Sequence, residues 1–435
     1  MGKLKVILVI FILAVALILK LHNYSIYPQR GATSDEYSYS FQGISLWTKH
    51  LPISWSAFTA YQHRYDLTIN KIYFPIVYPY FDHTPLNGLL VGGWSILFGQ
   101  DTFLKVDLKT VRLVPIILSM ISAIFVFLLA KKLYGYKTGI FALLIYATAT
   151  IFVINGRVVL AENLLTPLFL LAIYLFSLWS KNISYKKSIL IGILCGLSFW
   201  TKELGIALFL AMSYLFMAEK AGLKKILIMA FVFLFFVALY VVYGFYFDKE
   251  VFLQILFLQS GRTIGPQTLN YILSTPIIVN KVFYDGWYFF GFISLFSSFL
   301  NYKKNKIVFI PAFFYLFALI FALTSGGEMG WYIIPLFPFM AIASASLLVE
   351  GFKQKNWYVF VMLLFAGLSE IKLLYEANFG LTAMQFRVQL LIMFAPFILL
   401  LLWKKEKWLN ILSHAWFYLL IFGNILITYN YIHPA

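Results

Sequence analysis

VRLVPIILSMISAIFVFLLAKKLYGYKTGIFALLIYATATIFVIN, residues 111–155, reads as two apolar runs joined by a short basic turn. Each run is long enough to cross a hydrocarbon layer as a helix, and a helix is required there because lipid offers the backbone no hydrogen-bond partner. The same alternation recurs from Val6 to Thr428 and predicts about thirteen spans. The composition agrees: 62% hydrophobic residues, 20% aromatic and only 12% charged in a chain of 435. A mean hydropathy of +0.85 excludes a soluble enzyme. The expected fold class is all-α, a polytopic protein whose partner is the lipid bilayer.

Lysines mark the side that each connection faces. Lys3/Lys5, Lys131/Lys132/Lys137, Lys181/Lys186/Lys187, Lys220/Lys224/Lys225, Lys303/Lys304/Lys306, Lys353/Lys355 and Lys404/Lys405/Lys407 occupy the N-terminus and every second connection, 19 of the 34 Lys and Arg residues. By the positive-inside rule these segments are cytoplasmic, the N-terminus among them. The net charge of +17 therefore records topology, and no nucleic-acid partner is implied. Most of the 17 Asp and Glu fall on the other side, so chemistry is expected at the outer, periplasmic or extracellular, face. Val6–Leu19 is read as an uncleaved first span, because no A-x-A site precedes Lys20.

Three outer connections are long or unusual: 22–110, 247–282 and 324–331. The chain divides loosely into a motif-bearing transmembrane part, 1–220, which includes outer loop 22–110, and the remaining helices, 221–435, with outer loop 247–282. Thr33-x-x-Glu36 matches a capping box, and Tyr37, Phe41, Ile44 and Trp47 recur at helical spacing. Asp35–Lys49 is thus expected as an amphipathic interfacial helix, with a second, glycine-rich one near 86–98. Arg262 lies in the later loop, which reads as containing a short helix that covers a site.

Charged residues near a lipid boundary are costly, so each asks for a reason. Asp35-Glu36 offers a carboxylate that takes a proton as an oxocarbenium-like centre develops; the alternative is charge complementing a helix N-terminus. Asp82-His83-Thr84-Pro85 sets a histidine beside an acid, or simply turns the chain into a helix that Pro85 opens. Arg157 and Glu162 either pair with each other or leave the arginine fork for phosphate. Lys202, between two apolar runs, lies on the face where the positive-inside rule leaves lysine scarce. Glu328, Trp331 and Tyr332 precede a helix interrupted by Pro335 and Pro338, where aromatic anchoring is the simple account. Cys195 is the single cysteine. No metal-ligand spacing, P-loop or dinucleotide fingerprint is present, so no cofactor is called for; carboxylates leave a divalent cation open without demanding one.

Taken in order, these elements resemble the polyprenyl-phosphate-sugar-dependent GT-C glycosyltransferases of the protein O-mannosyltransferase and aminoarabinose-transferase superfamily. The resemblance rests on Asp35-Glu36-Tyr37-Ser38-Tyr39, Asp82-His83-Thr84-Pro85-Leu86, Phe98-Gly99, Arg112, Gly156-Arg157 through Glu162, Gly196-Leu197 through Thr201-Lys202, and Tyr332 to Pro338. Thr84 replaces a proline of the family pattern and Glu162 an aspartate. The resemblance implies a GT-C fold and Asp35 as the base that activates an acceptor, with Glu36 positioning sugar or acceptor. His83, Arg157 and Lys202 would hold the phosphate of the donor, supported by Asp82, Glu162, Tyr39, Glu328, Tyr332 and Arg262. It implies a polyprenyl-phosphate-linked sugar as donor and a protein, lipid or glycan hydroxyl as acceptor. The rival reading, a transporter or flippase of lipid-linked saccharides, is expected to place ionisable residues deep in several spans.

Overall fold

The computed structural model describes residues 2–69, 71–260, 266–274, 276–279, 281–322, 330–354, 361–364, 366–367, 382–403 and 406–431. The chain enters through α1 (Lys3–Leu21) and leaves the helix layer for the first outer loop. There α2 (Asp35–Lys49), strands β1 (Ser54–Trp55), β2 (Arg64–Ile69) and β3 (Ile72–Val77), and α3 (Pro85–Leu97) form a small module. The bundle follows as α4 (Leu108–Val111), α5 (Leu113–Tyr134), α6 (Tyr136–Thr148), α7 (Thr150–Asn155), α8 (Ala161–Trp179), α9 (Tyr185–Thr201), α10 (Ile206–Ala218) and α11 (Leu223–Ser260). It continues through α12 (Pro266–Ser274), a two-stranded pair β4 (Ile277–Ile278) and β5 (Lys281–Val282), α13 (Gly286–Leu300), α14 (Tyr302–Ala322) and α15 (Phe337–Gln354). Two further helices span Ala383–Leu402 and Glu406–Asn430.

Local chemistry explains many of the boundaries. Gly135, at φ 96°, ends α5 after Lys131 and Lys132. Ser184 caps α9 by accepting from the Lys187 amide, and Asp285 caps α13 by accepting from the Trp287 amide. One buried apolar cluster runs from Ile12 to Ile427, drawing on nearly every helix of the bundle.

Seven helices among the described residues are long and apolar enough to span a bilayer, against the expected thirteen or so. The expected span 138–155 is split at Ala149, and the runs before and after Lys202 form helices of 17 and 13 residues. The expected span 357–374 lies largely outside the described residues. Loop 247–282 also differs: α11 continues to Ser260 through a non-helical Asp248, whose carboxylate accepts from the Val251 amide.

The all-α expectation holds for the bundle, and small sheets are added in the loops. In the outer loop, β2 and β3 pair antiparallel from Arg64↔Val77 to Ile69↔Ile72, and β1 adds to the other edge of β3. Phe74 and Ile76 of β3 pack on Tyr37 and Phe41 of α2 in a second apolar cluster. Accordingly α2 is no surface helix with a wet face, since Glu36 through Ser45 are all buried. The capping box is not formed either. Thr33 Oγ1 accepts from the Asp35 amide, while Glu36 turns inward to Arg112.

Glycines decide how closely α2 and α3 approach. A Cβ on Gly43 would lie 1.8 Å from the Gly88 carbonyl oxygen, and one on Gly92 2.2 Å from the Gly43 carbonyl carbon. The Gly88-x-x-x-Gly92 spacing presents one small-residue face to Gly43, the pattern that lets helix backbones touch. Gly43→Ala is expected to push the helices apart at a cost of about 1–3 kcal/mol, read as a lower thermal unfolding midpoint in detergent. An unchanged midpoint would contradict this packing.

Candidate active site

A cavity of about 450 Å³ opens where the outer-loop module meets the bundle. Its polar lining is Asp82, His83, Lys202, Glu203, Gln259 and Tyr332. Leu204, Ile206, Leu210, Leu256, Phe317 and Phe321 form an apolar wall.

His83 enters from the turn before α3, where Thr84 is the N-cap and Pro85 the first helical residue. The simple reading of this motif, a turn into a helix that Pro85 opens, describes this backbone. The turn is fastened from two sides: Gln42 Nε2 donates to the His83 carbonyl at 3.0 Å, and Gln259 Nε2 donates to the Asp82 carbonyl at 2.9 Å. The imidazole stacks on Tyr39, with centroids 4.6 Å apart, and its Nε2 lies 4.0 Å from Asp35 Oδ1.

Asp35 occupies the first turn of α2, its side chain 23% exposed. Burial pushes its carboxyl up from 3.8 to about 6; Lys202 opposes the rise, while Glu162 and Glu36 add to it. Asp35 is thus ionised above pH about 6 and is a stronger base than an ordinary aspartate. If it acts as a base, kcat/KM should fall as pH drops through about 6 and level off above it. A pH-independent rate between 5 and 7 would remove Asp35 from that role.

Lys202 projects from the end of α9, where an extended backbone (φ −165°, ψ 145°) breaks the helix. Its ammonium pairs with Glu162, at the start of α8, and lies 3.7 Å from the centre of the Tyr332 ring. Glu162 is fully buried, and among the described residues its second oxygen has no hydrogen-bond partner. Tyr332 is held in turn by Tyr315, whose hydroxyl donates to the Tyr332 carbonyl at 2.7 Å.

Two expected site residues are elsewhere. Glu36 makes a bidentate bridge to Arg112, at 2.8 and 2.7 Å, and accepts from the Val159 amide. Arg112 also donates to the Tyr24 and Pro28 carbonyls, so this buried pair ties α2 to the bundle and to the chain after α1. Arg157 points into backbone rather than the cavity: it donates to the Leu19 and Tyr27 carbonyls and is 1% exposed. Of the two readings of Arg157, pairing with Glu162 or holding phosphate, the first is taken over by Lys202, which pairs with Glu162. Arg262 and Glu328 lie outside the described residues. Reasoning from sequence passed over Glu203, Gln259, Tyr61 and Tyr240. Glu203 had a signal, an acid directly after a lysine that stood out. Among the described residues no group of three or more His, Cys, Asp and Glu is arranged to hold a metal ion.

Residues 82–245 match the family model described as dolichyl-phosphate-mannose-protein mannosyltransferase. No curated protein matches the chain significantly. ArnT from Cupriavidus metallidurans, solved bound to undecaprenyl phosphate, aligns at a TM-score of 0.60 and 13% identity, over 97% of this chain and 76% of that one. The oligosaccharyltransferase AglB from Archaeoglobus fulgidus, in complex with an inhibitory peptide and a dolichol-phosphate, aligns at 0.53 and 12% identity, over 98% and 56%. This chain thus spans little more than half the length of AglB. The fold is that of these multi-pass membrane proteins, and residues 82–245 carry the similarity to the mannosyltransferase family model.

Proposed function

We propose that this chain is an inverting glycosyltransferase that moves one monosaccharide from a polyprenyl-phosphate carrier to a hydroxyl of a protein, lipid or glycan. The observation that carries the reading is a cavity lined by His83 and Lys202 on the polar side, with Asp35 4.0 Å from His83, and by Leu204, Ile206, Leu210, Leu256, Phe317 and Phe321 as an apolar wall. A donor of this kind is itself two-sided. Its prenyl chain belongs in lipid, while its phosphate and sugar belong in a polar site.

Asp35 accepts the acceptor's hydroxyl proton as the oxygen attacks the anomeric carbon. The bond from that carbon to the phosphate oxygen breaks, and the departing lipid phosphate keeps the electron pair. Charge grows on the phosphate as it leaves, and fixed cations in a partly dry cavity stabilise that growth more than they stabilise the bound donor. Lys202 takes this role, with Glu162 and Tyr332 fixing the lysine, and His83 donates a hydrogen bond to the phosphate. Attack opposite the leaving group inverts the anomeric centre. The lysine distribution puts the reaction at the non-cytoplasmic face, with the N-terminus inside.

The flippase reading expects charge spread through several spans, whereas His83 and Lys202 line one cavity, with Asp35 beside the first and Glu162 paired to the second. Purified protein incubated with defined polyprenyl-phosphate sugars and a panel of acceptors should give a covalent product by mass spectrometry. Movement of the lipid-linked sugar across liposomes without any such product would favour the rival.

A further inference from the structure

Away from the cavity, three polar side chains gather where α1, α5 and the turn after α7 meet. Lys20, in the last turn of α1, is fully buried, and its ammonium has no hydrogen-bond partner among the described residues. The same holds for the buried Ser119 hydroxyl on α5 and for Nε of Arg157, whose other nitrogens serve the Leu19 and Tyr27 carbonyls. No carboxylate among the described residues acts on either cation. Lys20 is acted on by Arg157, and Arg157 by Arg112, which its own bridge to Glu36 already balances.

Gly156 shows that these groups border one spot. A Cβ on this residue would lie 2.7 Å from Ser119 Oγ and 3.0 Å from Lys20 Nζ, so the hydroxyl and the ammonium both face the side-chain side of the glycine. Its backbone (φ −73°, ψ 0°) is allowed to any L-residue, so glycine supplies room here rather than conformation. From another side the Tyr146 ring lies 5.9 Å from Lys20 Nζ, a weak cation–π contact.

We infer that this spot binds a small monovalent anion of the chloride class, held by Lys20, Ser119 and Arg157. An ammonium and a guanidinium donate hydrogen bonds and accept none. Two such cations buried side by side without an acid are costly, and a neutral acceptor such as water leaves both charges uncompensated; an anion supplies the lone pairs and the charge together. Size follows from burial. Lys20, Ser119 and Arg157 are each at most 3% exposed, so a lipid headgroup or sugar phosphate, which must keep its attached chain outside, does not fit. The anion ties the outer end of α1 to the segment from Arg157 to Glu162, in which the Val159 amide holds Glu36 and Glu162 holds Lys202. This role is independent of the sugar chemistry proposed above.

The test is a thermal melt of the purified full chain in detergent, in sodium chloride and in sodium gluconate of equal ionic strength. Wild type, first dialysed into gluconate, should gain several degrees as chloride is titrated in and then level off, as a ligand that binds only the folded state requires. Lys20→Met should lose the chloride response and melt higher than wild type in gluconate, because the uncompensated ammonium is gone. Ser119→Ala keeps both cations, should need roughly 10-fold more chloride for the same gain, and serves if the first variant fails to fold. Equal melting of wild type in the two salts, or an unshifted chloride response in either variant, overturns the site. A crystal grown in sodium bromide reads the position directly: an anomalous peak beside Lys20 Nζ supports the assignment, and none there overturns it.

Discussion

Asp35→Asn is expected to lower sugar transfer by on the order of 10²–10⁴-fold without unfolding the protein, because a positioned general base contributes about that much. The amide keeps the shape and removes the proton acceptor. Folding should not suffer, and the sign can be worked out. The carboxyl is pushed up to about 6 in the fold from 3.8, so its ionised form opposes folding above pH about 6, and this penalty fades as pH falls through that value. Asparagine carries no such penalty, and the variant should melt at or above the wild-type temperature at pH 7 to 8. Transfer measured by product mass spectrometry, beside a melting curve of the same sample, checks both halves. Near-normal turnover would remove Asp35 from catalysis, and a large loss of thermal stability would make lost activity uninformative.

Lys202→Met carries the second large effect, this time on stability. Glu162 is fully buried and Lys202 is its counter-charge, so deleting the lysine strands a carboxylate that already has one oxygen without a hydrogen-bond partner among the described residues. Breaking such a pair costs about 3–5 kcal/mol, whereas replacing both members by neutral groups costs far less. Lys202→Met should therefore express poorly or melt much lower, and Glu162→Gln/Lys202→Met should recover most of that loss. The double variant should still transfer sugar weakly, with a raised KM for the lipid-phosphate donor, because the cation that faces the cavity is gone. If the single and double variants melt alike, the pair is not what holds α8 to the end of α9. If the double variant keeps wild-type KM, Lys202 does not engage the donor.

These experiments separate two functions that the linear chain presents together. Arg157 and Lys202 looked equivalent in sequence, each a lone cation at an outer boundary beside an acid. The fold gives Arg157 to the carbonyls of Leu19 and Tyr27 and keeps Lys202 at the cavity. Asp35 and Glu36 looked like a pair, yet neighbours on a helix point about 100° apart, which sends Asp35 toward His83 and Glu36 to Arg112. The strands of the outer loop were missed for a related reason. Arg64–Ile69 and Ile72–Val77 form a hairpin whose buried face is covered by α2, a partner that is remote in sequence and leaves only a short alternation to read.

Sequence alone determined that this is a helical, multi-pass membrane chain, where its helix-forming runs lie, and which few charged residues stand apart from the lysine pattern. It could do so because lipid imposes a local rule: every backbone polar group must be satisfied within its own segment, so hydrophobic length by itself predicts a helix. Tertiary structure alone decided which acid meets which cation, how near α2 approaches α3 across their glycines, and that Asp82, His83, Lys202 and Glu203 line one cavity. Those contacts join residues remote in sequence; Glu36 and Arg112 are 76 positions apart. Charge pairing of this kind depends on distance and burial rather than residue type, and both quantities exist only after the helices have packed.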